Sequence, residues 1–231
     1  EVERAEVLLE RIRNNKRKMY KDKKLPKPVS DEDIAFPIPL LWNWCRLSEI
    51  SMKMSTGPFG TMLHKSDYVI DGIPVINPTN IKDEGIIPSE KMMISKEKHV
   101  ELSRYALKEG NIVLARRGDL GKCGIVTKNE INWLCGTGSF FLEIAIDPVY
   151  FRFFYISDYC QAPLNADSIG STMSNLNQTV LSNVPFPLPP LEEQKEIVRQ
   201  VDKLFALADK VEAHYQKAKA RVDKLSQSVL A

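Results

Sequence analysis

The chain has 231 residues, with 32 basic and 30 acidic side chains and a net charge of +2. That near balance excludes a uniformly basic nucleic-acid binder, and no run of about 18 apolar residues is present to cross a membrane. The four cysteines, Cys45, Cys123, Cys135 and Cys160, stand apart from one another and from any histidine at ligand spacing, so neither a zinc site nor a disulfide framework is expected. With a charged start from Glu1 and no apolar leader, a reduced, cytoplasmic protein is expected.

The first element is a helix, expected over residues 1–24. Val2, Ala5, Leu9, Ile12 and Met19 follow a/d spacing, with Lys16 where another seam residue would stand. Basic residues crowd its C-terminal end, from Arg11 and Arg13 to Lys24 and Lys27, where they complement the helix dipole or reach phosphate. Residues 1–30 carry a net charge of +5. Pro26 and Pro28 end the helix.

Residues 31–190 read as the globular part, with a net charge of −4. Short apolar, β-branched segments predict strands at Tyr68–Ile70, Pro74–Ile76, Asn111–Leu114, Gly124–Val126 and Phe140–Ile146. Turn signals separate them at Asp71-Gly72, Glu109-Gly110 and Gly118–Gly121. Helical patterns are fewer, roughly Lys96–Leu107 and Pro148–Tyr159. A mixture without regular βαβ alternation predicts an α+β domain. Pro185, Pro187, Pro189 and Pro190 form a stiff boundary.

The last element, residues 191–231, is the most informative. Ile197, Val201, Leu204, Ala208, Val211, Tyr215, Ala218, Val222, Leu225 and Val229 are spaced alternately four and three apart. This heptad stripe, unbroken by Gly or Pro, predicts one helix of roughly 60 Å with a narrow seam that wants a partner helix. The first helix enters the globular part and the last leaves it, so the two are expected to run antiparallel and zip together. The first, about 22 residues long, would cover the last only to about His214. The seam beyond, from Tyr215 to Val229, is then expected to find another chain.

Catalytic signatures are scarce. Gly118–Cys123 echoes a phosphate loop only faintly, since its glycine spacing is short and no Ser or Thr follows Lys122. No nucleophile elbow or zinc-protease motif is present. Pro189-Pro190 lies between Leu188 and Leu191, not in the Asn/Asp-Pro-Pro-Tyr setting with which adenine methyltransferases hold a flipped base.

The order of the remaining motifs is more telling. Trp42 with Arg46-Leu47-Ser48-Glu49-Ile50 comes first, followed by Gly72–Ile76, then Gly110–Leu114 with Gly118 and Gly121, then Gly170–Leu176. Last is Pro187-Leu188-Pro189-Pro190-Leu191-Glu192-Glu193-Gln194, just before the heptad helix. Together these resemble the specificity subunit of type I restriction-modification systems over essentially the whole chain. A full subunit of that family alternates two recognition domains with two helical regions. This chain looks like its second half, or a half-length version.

The resemblance implies a non-catalytic protein that binds double-stranded DNA and reads one half of a bipartite site. The globular part would be the target-recognition domain. The helices would set the half-site spacing and dock modification (methyltransferase) subunits, through which a restriction subunit joins. Methyl transfer from S-adenosylmethionine would belong to the modification subunits, so no cofactor is expected here. For DNA contact the candidates are Lys53, Lys65, Asn80, Lys82, Arg116, Arg117, Lys122, Ser171 and Thr172, since Arg reads guanine and Asn adenine, while Lys, Ser and Thr more often hold phosphate. Ile197, Val201, Leu204, Val211, Tyr215, Val222, Leu225 and Val229 are the candidate helix interface. Two other readings compete: a coiled-coil adaptor that binds only protein, and the recognition fragment of a fused methyltransferase-nuclease.

Overall fold

The structure, a computed structural model, describes residues 3–20, 26–34, 36–166 and 176–229. It divides into two compact units, residues 1–191 and 192–231. In chain order the first unit contains α1 (Ala5–Met19), β1 (Asn43–Arg46), α2 (Leu47–Ile50), β2 (Ser51–Thr56), β3 (Tyr68–Val69), β4 (Ile73–Ile76), β5 (Ile81–Lys82), β6 (Gly85–Ile86) and β7 (Met93–Ile94). It continues through α3 (Lys96–Glu101), β8 (Ile112–Ala115), β9 (Cys123–Ile125), β10 (Leu134–Cys135), β11 (Ser139–Ile144), α4 (Pro148–Tyr155), α5 (Asp158–Ala166), α6 (Gln178–Asn183) and β12 (Pro185–Leu188). The second unit is α7 (Leu191–Val229), which continues from the first unit's last residue. No helix among the described residues is long and apolar enough to cross a membrane.

Two four-stranded sheets form the body, in the orders β2-β11-β8-β9 and β10-β4-β7-β3. The first is antiparallel throughout. The second contains one parallel pair, β10 with β4. Val113 and Phe141 from the first sheet meet Val75, Ile76, Ile94, Leu134 and Cys135 from the second in one buried core, joined by Leu102, Tyr105 and Leu107. Each large apolar side chain buried there contributes roughly 1.5–3 kcal/mol. The expected α+β class holds, and all five expected strands are present with ends shifted by at most two residues.

Several elements depart from the sequence pattern for identifiable reasons. β12 reads Pro-Phe-Pro-Leu yet pairs with β1, Trp44 opposite Pro187 and Arg46 opposite Pro185. Alternate residues of an antiparallel strand point their backbone groups to opposite edges. The two prolines fall on the outer edge, where the missing N–H costs nothing, and the Pro187 carbonyl there accepts from the Tyr150 hydroxyl (2.9 Å). The helix expected over 148–159 is two. Asp147 caps α4, accepting from Val149 and Tyr150 N–H. Its end is drawn off by Ser157, whose hydroxyl bonds the Phe154 carbonyl, before α5 begins. Phe151, Phe154 and Tyr150 of α4 pack on Phe186 of β12, with ring centroids 4.6–6.2 Å apart.

The N-terminal helix also differs from expectation. Its buried residues are Ala5, Leu8, Leu9 and Ile12, a face over two turns that includes Leu8, while Met19 is exposed. α1 docks on α2 through charge. Arg13 donates to Glu49 from Nε (2.9 Å) and Nη2 (2.6 Å). Lys16, read as a defect in a seam, donates to the carbonyls of Ser48 and Ser51. Much of the basic cluster is thus bonded within the protein, since Arg11 pairs with Glu3 and Arg17 with Glu10.

Candidate nucleic-acid interface

One edge of the two-sheet body collects loops from both sheets. In the first sheet Phe140 stands opposite both Thr56 and Leu114, and Leu114 stands opposite Cys123. The chain therefore leaves β2 and β8, and enters β9 and β11, at the same edge. In the second sheet parallel β4 and β10 both end there, Ile76 beside Cys135. Four segments are brought together: 57–64, 77–80, 116–122 and 136–138.

Backbone bonds stitch them. Gly57 N–H donates to the Ser139 carbonyl (3.1 Å), Gly136 N–H to Ile76 (2.8 Å) and Arg116 N–H to Gly138 (2.9 Å). The Asn77 carboxamide oxygen accepts from Gly138 N–H (3.3 Å). The approach is too close for side chains at two points. A Cβ on Gly57 would lie 2.0 Å from the Gly136 carbonyl oxygen, and one on Gly136 would lie 2.4 Å from Asn77 Oδ1. Gly118 adopts φ +76°, which turns the chain directly after Arg117 and favours glycine. Turns held this way present side chains without much freedom to rearrange.

The sequence-predicted residues divide. Arg116, Arg117 and Lys122 lie on this edge. Arg117 is exposed. The Arg116 guanidinium lies over the Phe140 ring at 5.8 Å, and its Nε is buried with no hydrogen-bond partner among the described residues. Lys122 Nζ sits 3.5 Å from the Pro78 carbonyl. Lys82 shares a neighbouring cleft with Lys122, Arg152 and Asp119. Asn80 is near but inward. It is 3% exposed, its Oδ1 accepts from Asn77 N–H (3.0 Å) and its Nδ2 donates to the Ile87 carbonyl (2.9 Å), so its amide is used in holding the turn. Lys53 is not in a loop. It lies within β2, donates to the Arg104 carbonyl (3.1 Å) and covers the Phe141 ring. Lys65 is exposed on the turn before β3. Ser171 and Thr172 lie outside the described residues. Leu176, just beyond them, donates its N–H to the Arg116 carbonyl (2.8 Å), which ties the chain on that side to the same edge.

Sequence reasoning missed Asn77, whose position before Pro78 marked only a turn, and Phe59, which is 61% exposed on the turn after β2. It also missed Arg152, which reaches the same cleft from α4 and donates to the Asp83 carbonyl (3.2 Å). The cysteines are all buried. Burial raises the Cys123 and Cys135 thiols well above the ordinary range and pushes Cys160 up to about 12, so each is held as the neutral thiol. Among the described residues no group of three or more His, Cys, Asp or Glu side chains could hold a metal ion.

The chain thus combines a two-sheet body whose turns are stitched together at one edge, with Arg116, Arg117 and Lys122 among them, and a separate heptad helix. Comparison with known proteins makes the assignment specific. Residues 40–219 match the type I restriction modification DNA specificity domain, and the chain belongs to that family. It is 31% identical over 209 residues to the type I restriction enzyme EcoBI specificity subunit of Escherichia coli, covering 90% of this chain and 44% of that protein. It is 26% identical to the MjaVIII specificity subunit of Methanocaldococcus jannaschii, covering 80% and 45%. The chain thus spans less than half the length of these relatives. The fold is similar to the HsdS subunit from Thermoanaerobacter tengcongensis, with TM-score 0.67 and 21% identity over 85% of this chain and 50% of that one.

Proposed function

We propose that the chain reads one half of a bipartite DNA site within a type I restriction-modification complex. In this reading residues 31–190 are the target-recognition domain. The helical segments 1–24 and 191–231 set the distance to the other half-site and dock modification subunits, which carry methyl transfer and bring in the restriction subunit. The apolar distal seam of α7, from Tyr215 onward, suits self-association in a two-fold arrangement, which would set two recognition domains in one assembly. Tyr215 and Val222 of that seam are exposed in the single chain, which favours such pairing.

The observation that carries the DNA reading is that the turn bearing Arg116, Arg117 and Lys122 is stitched to the neighbouring turns at one edge of a body whose net charge is −4. Guanidinium groups there suit guanine edges or phosphate oxygens, and the ammonium suits phosphate. The test is binding of alanine variants at the three positions, assembled with modification subunits, to cognate and scrambled duplexes across salt. Loss of a phosphate contact weakens binding to both duplexes and lowers the salt slope by about one unit. Loss of a base contact costs roughly 1–3 kcal/mol on the cognate duplex and relaxes one position of the site. Parent-like binding by all three variants would show that the edge is structural.

A further inference from the structure

Among the described residues Phe59 is the most exposed phenylalanine, at 61%. It follows Gly57 and Pro58, both buried, and Gly57 is pressed against the Gly136 carbonyl with no room for a Cβ. On its other side Met62 N–H donates to the Phe59 carbonyl (2.8 Å) and closes a turn. The backbone is therefore pinned before and after a ring that stands in water. Among the described residues it is the one exposed large apolar side chain in the four segments that meet at this edge; Leu63 and Leu120 are buried. Exposed apolar area is unfavourable by about 25 cal/mol per Å², so a ring held out on a fixed turn suits a partner that covers it.

The surroundings indicate the chemistry of that partner. A protein-docking patch gathers several apolar side chains, whereas here a single ring stands on a segment tied, through Ser139 and Gly138, to the turn that carries Arg116 and Arg117. One apolar tip beside cations matches a ligand that offers phosphate and apolar ring faces together, as duplex DNA does. Proteins that bend DNA insert apolar side chains of this type between base pairs and unstack the step.

We propose that Phe59 is a wedge that enters the duplex at one base step of the recognised half-site and kinks it, while the neighbouring arginines hold the strands on either side. The proposal rests on the DNA-reading function and adds a specificity term, because a kinked step is sequence-dependent in its deformability.

The experiment uses the full chain and a duplex it selects from a random pool, with 2-aminopurine placed in turn at each position. The expected result is brightening at one step on binding. Phe59→Ala should abolish that signal and weaken binding by about tenfold or more, with an unchanged melting temperature. Phe59→Trp should keep the affinity, and its added indole emission should be quenched by DNA relative to the parent's Trp42, Trp44 and Trp133. A parent that binds the duplex without brightening any position overturns the wedge and leaves the DNA reading intact. So does a Phe59→Ala variant that binds and brightens like the parent, or an unquenched Phe59→Trp. Selection of no duplex by the parent overturns the DNA reading and the wedge with it.

Discussion

Glu49→Ala is expected to be among the most destabilising single changes on the surface between α1 and the body. The carboxylate is 5% exposed and accepts three hydrogen bonds: two from Arg13 at 2.9 and 2.6 Å, and one from the Arg46 backbone N–H at 2.7 Å. Arg46 is itself 8% exposed. Truncation strands a buried N–H, which costs about 1–3 kcal/mol. Arg13 is one-third exposed and rehydrates, so its loss is closer to 0.5–1 kcal/mol. A total of about 3 kcal/mol follows from these two contributions, a fall of roughly 6–12 °C for a unit of this size. Urea unfolding followed by tryptophan emission is the suitable assay, since Trp42, Trp44 and Trp133 all lie in the first unit. Arg13→Ala should cost only about 1 kcal/mol, because Glu49 keeps its backbone donor. Glu49→Gln, which retains an acceptor for that donor, should fall between. If Glu49→Ala unfolds within about 0.5 kcal/mol of the parent, or Arg13→Ala costs as much as Glu49→Ala, the reasoning is wrong.

Three other outcomes are expected. Gly57→Ala should lose about 1–3 kcal/mol of stability by overpacking and should weaken DNA binding, while Gly60→Ala, whose Cβ meets nothing within 4 Å, should do neither; equal effects at both sites would refute the close-approach argument. Hydrogen bonds from Arg46, then from Ser30, lower the Asp33 carboxyl from 3.8 to about 2, so its stabilising contribution is present above about pH 4 and lost as pH falls toward 2; melting of the parent and Asp33→Asn should differ at pH 5 and converge near pH 2, and a pH-independent difference would count against the pairing. Val222→Asp with Leu225→Asp should give monomers in light scattering with an intact first unit, and a parent that is already monomeric at high micromolar concentration would rule out the distal-seam dimer.

Much of the body was legible because its strands carry the usual signal. Val113, Leu114, Phe140 and Phe141 read as strand from their side chains alone. β2 did not, since Ser-Met-Lys-Met-Ser-Thr has neither β-branched density nor clean alternation; its partner β11 makes it a strand. Lys53, one of the candidates for DNA contact, therefore stands mid-strand with its ammonium bonded to a carbonyl. For Asn80 the signal was incomplete, because an Asn after Pro and Thr signals a turn but does not say whether the amide faces water or closes the turn. Arg116, Arg117 and Lys122 were singled out by the glycines around them, a local signal that survives folding. Phe59 and Asn77 were not, since their meaning comes from Gly136 and Gly138, some sixty to eighty positions away in the chain.

Part of the acidic balance of the body comes from carboxylates that the fold uses internally. Glu130 closes a turn on Thr127, Asp67 on His64, and Asp147 caps α4. Glu49 holds α1, Asp33 holds Arg46, Asp119 accepts from Gly121 N–H and Glu143 pairs with Lys108. Acidic side chains at caps and turn starts serve backbone N–H groups that strands and short helices leave unmet. A fold made of many short elements needs many such acceptors and gathers negative charge as a by-product of its architecture. The field a ligand meets is set locally within about a Debye length, roughly 8–10 Å, so a net charge of −4 over the body is compatible with the proposed phosphate contact at Arg116, Arg117 and Lys122.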